Sequence, residues 1–243
     1  MLFDLRARGR RRVVKVVYAS LALLMGGGLV LFGIGGDVQG GLVDAFREDS
    51  QQGAGNRAFE ERLDKAEAAV KRNPQAAGAW AELARLRYQE AGQGENFDQA
   101  EAAFTESGVR ELRSSVAAWE RHTKLAKKPN SNVASLMVQA YTALDQLDKA
   151  VGALEIVVES RDEPTPQLYT QLASLAYAAG QTRKAELAGK QALRLANPDD
   201  REVIKGQLDS AKEIGKQRAL QEAQQGQPKP KPEGAEGLLQ PGS

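Results

Sequence analysis

The chain has 243 residues with 33 Lys and Arg against 32 Asp and Glu, a formal net charge of +1, so no global electrostatic field attracts nucleic acid. It contains no cysteine, which excludes disulfides, thiolate zinc sites and the acylated cysteine of a lipoprotein. Apolar residues make up 42% and aromatic residues 5%, a composition that suits an alanine-rich helical protein with one sizeable core.

An apolar run from Val16 to Ile34 contains no charged residue. A helix of about 19 residues spans roughly 30 Å, the thickness of the hydrocarbon core of a bilayer. Residues 16–36 are therefore predicted to form a single transmembrane helix, preceded by a basic segment, 1–15. Because arginines dominate before the run and acidic residues dominate after it, the positive-inside rule places the N-terminus in the cytoplasm and the rest of the chain outside.

Two other interpretations of this run stay open, a buried core helix and a cleaved signal peptide. The flanking charges favour a membrane over a core. The apolar part of a signal peptide typically has about 7 to 15 residues and ends in an A-x-A-like site, whereas this run is longer and ends in Gly33-Ile34-Gly35-Gly36. Ala22 and Gly26 are small residues four positions apart, as in helix pairs that pack closely in lipid. Because glycine-rich membrane helices are also common without dimers, a homo-oligomer through the transmembrane helix is an alternative to a single helix.

Two segments have compositions that do not favour a packed core. Residues 37–56 contain four glycines together with Ser50, Gln51 and Gln52, which predicts a flexible linker. Residues 224–243 contain the run Gln227-Pro228-Lys229-Pro230-Lys231-Pro232, which predicts a disordered tail.

A helix-forming pattern repeats between Ser115 and Pro198. Its clearest anchors are Asp148-Lys149-Ala150 and Arg183-Lys184-Ala185, which are 35 residues apart, and the same step back from Ala150 leads to Ser115. The proline breaks keep nearly the same spacing, at Pro129, Pro164 and Pro198. Such a period indicates repeated supersecondary units.

Each unit is predicted to be a pair of antiparallel helices. In the last unit Thr165-Pro166 is typical of a helix start, Gly180 of a turn, and Asn197-Pro198 of a helix end. Apolar residues at helical spacing give each helix one apolar stripe. The members of the two stripes are Tyr169, Leu172, Ala173 and Ala176, then Ala185, Ala188, Ala192 and Leu195.

These residues resemble the tetratricopeptide repeat (TPR) family over residues 57–198. The last unit matches the family pattern at Tyr169, Leu172, Ala173, Gly180, Ala185, Ala192 and Pro198. The unit before it matches at Met137, Tyr141, Ala150 and Leu154, with Asp145 in place of the turn glycine. An earlier copy matches at Trp80, Leu83, Ala84, Ala100 and Phe104. The resemblance implies an all-α solenoid of helical hairpins.

The chain departs from the family at two places. Gly189 stands where a large apolar residue is usual, and the interval from Pro74 to Pro129 is not one period. An irregular or extra helix is therefore expected near Val109 to Lys127, and a helical bundle with accidental spacing is the alternative fold. Residues 199–223 are predicted to form a C-terminal capping helix, because solenoids need a solvated end.

No motif for catalysis, a metal or a cofactor stands out, so the chain is predicted not to be an enzyme. The single histidine, His122, lies in a charged run with Glu120, Arg121 and Lys124, which predicts a surface residue.

In TPR proteins the first helices of successive units line a concave groove that binds peptides or partner helices. Carried over by position, the resemblance implies a groove that is polar and largely uncharged, with two tyrosines able to stack and hydrogen-bond. Its residues are Arg85, Tyr88, Gln89, Gln139, Thr142, Gln167, Thr170, Ser174 and Tyr177. The family's carboxylate clamp has no match, because Ala81 and Ser135 occupy places where a lysine is expected.

The sequence thus predicts a membrane-anchored, extracytoplasmic scaffold that contacts a protein or peptide partner. Its layout is similar to that of the ancillary subunit of the bacterial Sec translocon, which implies a role beside secretion or envelope-assembly machinery. The alternative is a structural envelope protein that self-assembles or binds the cell wall.

The predicted topology can be tested with single cysteines, since the chain has none of its own. With Ser131→Cys, an impermeant thiol label should react in intact cells or spheroplasts, whereas with Ala7→Cys it should react only after lysis. The reverse pattern would contradict the orientation.

Overall fold

The structure is a computed structural model that describes residues 52–225. In this range the chain forms eight α-helices and one two-stranded β-hairpin, so the predicted all-α class is confirmed for these residues. The helices are α1 (Gln52–Arg72), α2 (Ala77–Ala91), α3 (Glu106–Leu125), α4 (Ser131–Ala143), α5 (Leu147–Glu159), α6 (Pro166–Ala178), α7 (Thr182–Leu195) and α8 (Arg201–Gln225). The packing described below lies within Phe59–Ser243, the second of two units into which the chain divides.

The predicted transmembrane helix, 16–36, and the basic segment, 1–15, lie outside the described residues. Within residues 52–225, none of the helices combines the length and the apolar character needed to cross a bilayer. Helix α1 begins inside the predicted linker 37–56, and α8 ends inside the predicted tail 224–243.

Helices α4 to α7 form two consecutive hairpins, with the predicted start of α6 and the predicted turns at Asp145 and Gly180. Asn130 caps α4, since its Oδ1 accepts hydrogen bonds from the backbone N–H groups of Asn132 and Val133. Thr165 caps α6, which has proline at its first position. The turns use left-handed backbone, with φ of 72° at Gly180 and 57° at Asp145. Asp145 thus stands in place of the turn glycine in a left-handed conformation, which asparagine and aspartate adopt more readily than other non-glycine residues.

Small buried residues stand where the two helices of each hairpin meet. Ser115, Ala150 and Ala185 are each 0% exposed, and they follow one another at the 35-residue period. Side chains of this size let two helix backbones approach closely. Ser115 Oγ donates a hydrogen bond to the Ala84 carbonyl of α2 at 2.6 Å, so its buried hydroxyl is satisfied.

The first full hairpin pairs α2 with α3, which corrects the sequence alignment of the earliest copy. Helix α3 is the regular second helix of that hairpin and not an extra one. Ala100 and Phe104, which were aligned with a second helix, lie instead in the connection between α2 and α3. The long interval between Pro74 and Pro129 is therefore one hairpin period with an inserted connection.

The inserted connection has a small ordered structure of its own. A 3₁₀ turn, Gly94–Asn96, leads into strand β1 (Phe97–Asp98), which pairs antiparallel with β2 (Ala103–Phe104). The rings of Phe97 and Phe104 meet edge to face, with centroids 5.3 Å apart, a favoured aromatic geometry. Thr105 then caps α3 by accepting a hydrogen bond from the Gly108 N–H.

One ion pair recurs between successive hairpins at the repeat period. Lys149 of α5 lies 2.6 Å from Glu120 of α3, and Lys184 of α7 lies 2.8 Å from Glu155 of α5. All four side chains are partly exposed, so each pair contributes about 1 kcal/mol or less. Their recurrence shows that the two junctions share one geometry.

Helix α8 packs on both α6 and α7. Near its start, the Leu208 side chain fills the space beside Gly189, where a Cβ would lie 3.2 Å from Leu208 Cδ1. Further along, Gly215 lies against the backbone of Tyr177 at the end of α6. Beyond that contact, Arg218 reaches Asp145 in the α4–α5 turn at 2.6 Å. Helix α8 therefore joins the last two hairpins.

The close contact at Gly215 predicts an asymmetric response to alanine. A Cβ at Gly215 would lie 2.4 Å from the Tyr177 carbonyl oxygen, whereas a Cβ at Gly206 of the same helix would meet nothing within 4 Å. Gly215→Ala should lower the free energy of unfolding of the full chain by about 1–3 kcal/mol, the usual cost of overpacking. Gly206→Ala should raise it by about 0.5–1 kcal/mol. Urea unfolding measures both, and equal gains would contradict the packing of α8 on α6.

Candidate functional site

The nine predicted groove residues fall into two groups with different surroundings. The first group lies on α2 and α4, and the second lies on α6 beside α8. The first contains Arg85, Tyr88, Gln89, Gln139 and Thr142, and we call it the α2–α4 patch. The second contains Gln167, Thr170, Ser174 and Tyr177, and we call it the α6 row.

A direct hydrogen bond joins the two helices of the α2–α4 patch. The Tyr88 hydroxyl donates to Gln139 Oε1 at 2.7 Å. Burial raises the pKa of Tyr88 to about 12, so the phenol keeps its proton at neutral pH and remains a donor. Tyr88 is half-buried, while Gln139 and Thr142 are exposed. The patch thus combines the partly exposed Tyr88 side chain with the exposed Gln139 amide and with Thr142, whose hydroxyl donates to the Val138 carbonyl at 2.7 Å.

The only cation of the α2–α4 patch is paired with a neighbouring carboxylate. Arg85 Nε donates to Glu82 Oε2 at 3.0 Å, and Arg85 also reaches Gln89 Oε1 at 3.3 Å. The hydrogen bond from Arg85 holds the pKa of Glu82 below its usual value, and the charge of Arg62 on α1 contributes at 3.6 Å. Because Arg62 shares Glu82 with Arg85, these three side chains keep one net positive charge beside the amides of Gln89 and Gln139.

Two of the four residues of the α6 row, Thr170 and Tyr177, are buried in the folded structure. Thr170 is 7% exposed, and its hydroxyl donates to the Pro166 carbonyl in the preceding turn at 2.9 Å. Tyr177 is 9% exposed and lies against Gly215 of α8. Gln167 is exposed and Ser174 is half-buried. Of the two tyrosines singled out in the sequence, Tyr88 is thus the more accessible one.

The prediction that His122 lies at the surface is wrong. His122 is 4% exposed, with Nδ1 2.8 Å from the Ala77 carbonyl oxygen and Nε2 3.0 Å from the Asn130 backbone nitrogen. A signal for this burial was present in the repeat. His122, Val157 and Ala192 are spaced by 35 residues, and all three are buried. The charged neighbours of His122 along the sequence lie on the other face of α3.

An open cleft of about 820 Å³ lies between α5, α6 and α7, away from the predicted groove residues. Tyr169, Leu172 and Leu187 give it an apolar lining, and the Glu155–Lys184 ion pair borders it. Within residues 52–225 no cluster of histidine and carboxylate side chains could hold a metal ion.

Comparison with protein-family models, curated proteins and solved structures gives no significant match to this chain.

The different surroundings of the two groups predict different effects on stability. Tyr177→Ala should lower the free energy of unfolding by about 3 kcal/mol or more, because it removes a buried aromatic side chain. Gln167→Ala, on the exposed side of the same helix, should change it by less than about 0.5 kcal/mol. Urea denaturation of the full chain measures both. A neutral Tyr177→Ala would mean that Tyr177 is free to contact a partner.

Proposed function

We propose that this chain is a membrane-anchored scaffold of the TPR type that holds a segment of another protein outside the cytoplasm. The observation that carries the proposal is the recurrence of one hairpin design. The same positions are buried in each hairpin, and the same Lys–Glu pair links one hairpin to the next. Stacked hairpins of this kind present a continuous surface whose main use is contact with other molecules.

The α2–α4 patch is the part of that surface best suited to hold an extended peptide. Gln89 and Gln139 each carry an amide that can both donate and accept, and these groups match the backbone of an extended chain. Tyr88 adds a large rigid side chain at low entropic cost, a feature that is common at protein interfaces.

The anchor supports a location beside the membrane. The apolar run in residues 16–36 and the arginines before it favour a single span with the repeats on the outer side. A scaffold tethered in this way meets polypeptides that have just crossed the membrane, which is why we place it with secretion or envelope-assembly machinery.

Photo-crosslinking in cells tests this function. A photoreactive amino acid in place of Thr142, which is exposed on α4, should crosslink to an envelope or exported protein. The same amino acid in place of Lys190, which is exposed on α7, should not.

Tyr88→Ala in the Thr142 variant should reduce the crosslinked product about tenfold, since removal of a central interface tyrosine costs more than about 1 kcal/mol. Equal crosslinking from both positions would reject the α2–α4 patch. Crosslinks to copies of this chain alone would instead support the self-assembling structural alternative.

A further inference from the structure

Helices α5 and α7 share an exposed surface that is separate from the α2–α4 patch. They are the second helices of consecutive hairpins, so they run side by side in the same direction. The Glu155–Lys184 ion pair joins them, and the open cleft of about 820 Å³ lies between them and α6. Residues 35 positions apart therefore occupy equivalent places on the two helices.

The outer faces of α5 and α7 carry opposite charges at these equivalent places. Positions separated by seven and then four residues lie on one face of a helix. On α5 these positions form an acidic ridge, and on α7 they form a basic ridge. The acidic ridge is Asp148, Glu155 and Glu159, and the basic ridge is Arg183, Lys190 and Arg194.

Most of the charge on both ridges is unpaired within the described part of the chain. Glu155 is paired with Lys184, but none of the other five ridge residues takes part in an ion pair within residues 52–225. All five are exposed, and Asp148 accepts a neutral hydrogen bond from Gln181 at 2.7 Å. The ridges of one chain point outward from neighbouring helices, so their charges are available to another molecule.

Large apolar side chains are exposed beside the basic ridge. Leu187 and Leu195 are 56% and 43% exposed, and they are two of the four large apolar side chains that are exposed in the described residues. On α5 the place equivalent to Leu187 is Gly152, where a Cβ would meet nothing within 4 Å. Leu187 therefore protrudes from α7 at the place where α5 has a gap.

We infer that this surface binds a second copy of the chain, related by a two-fold axis that runs parallel to α5 and α7. A two-fold axis across the two helices would place each ridge on its own copy, where like charges repel. An axis along the helices places the acidic ridge of each copy on the basic ridge of the other. Charge complementarity thus selects one arrangement of the two copies.

The proposed axis keeps equivalent residues at the same height along the helices. Asp148 then faces Arg183 of the second copy, and Glu159 faces its Arg194. Leu187 of each copy enters the gap beside Gly152 of the other. The pair is closed and does not extend into a fibre, and it forms whatever the α2–α4 patch binds.

The contact should be weak and reversible. Helices α5 and α7 have 13 and 14 residues, so the shared face is only about 20 Å long. Such a face is at the small end of the range for specific interfaces. Because its ion pairs lie near solvent, association should also weaken as the salt concentration rises.

Cysteine crosslinking between two copies of the full chain tests the pairing, since the native chain has no cysteine. One copy carries Gly152→Cys, and a differently tagged copy carries Leu187→Cys. At low salt a short bifunctional maleimide should join the two. Val203→Cys is the control for Leu187→Cys, because Val203 is 63% exposed on α8, outside both ridges. It should give at least about tenfold less product, and equal products would overturn the proposal.

Charge exchange shows whether the ridges hold the two copies together. With both copies carrying Glu159→Arg, or both carrying Arg194→Glu, the crosslinked product should fall about tenfold, because like charges then face each other at two points. One copy with Glu159→Arg and the other with Arg194→Glu restores opposite charges at both points and should recover the product. A mixture that does not recover it would contradict the pairing.

A matched charge change outside the ridges completes the test. Arg121→Glu alters an exposed arginine of α3 and changes the net charge as Arg194→Glu does, so it should leave the product unchanged. An equal loss would overturn the proposal, as would a product insensitive to all these changes, which is the result expected of a dimer held only by the predicted transmembrane helix. A photoreactive amino acid at Lys190 should crosslink to a second copy of this chain and not to an exported protein.

Discussion

The described structure depends on the close approach of two helices within each hairpin. At each crossing a small residue, Ser115, Ala150 or Ala185, leaves room for the facing helix, and none of the three has exposed surface. A larger side chain at Ala150 would separate α4 from α5 and disturb the neighbouring hairpin as well, because α5 also packs on α6. This need for a small residue at each helix crossing explains the 35-residue period of the sequence.

The sequence predicts the fold well in the part of the chain where small residues at helix crossings recur every 35 residues. The pairs α4–α5 and α6–α7, the turn at Asp145 and the proline start of α6 all follow from local pattern and turn chemistry. The α2–α3 pair does not follow from the local pattern. Alanine is so frequent in this chain that Ala100, with Phe104 four residues later, fits the repeat pattern by chance. Ser115 and Trp119 give the correct alignment of this hairpin with the repeat, since their equivalents in the next hairpin, Ala150 and Leu154, are buried.

The candidate site was less predictable than the fold. That Tyr177 is buried depends on Gly215, a residue of another helix, and no local pattern at Tyr177 reveals that contact. The ion pair of Arg85 depends on Glu82, one turn away on the same helix, and could have been inferred from the spacing. The burial of His122 is not evident from its charged neighbours along the chain, but its apolar repeat equivalents, Val157 and Ala192, indicate it.

Helix α8 changes how the stack resists a mechanical load at its C-terminal end. In a simple solenoid the last unit has only one neighbour and frays first. Here Gly215 rests on the end of α6, and Arg218 reaches beyond that hairpin to Asp145 of the one before. A force that pulls α8 away must therefore break contacts with two hairpins, the one formed by α6 and α7 and the one that contains Asp145.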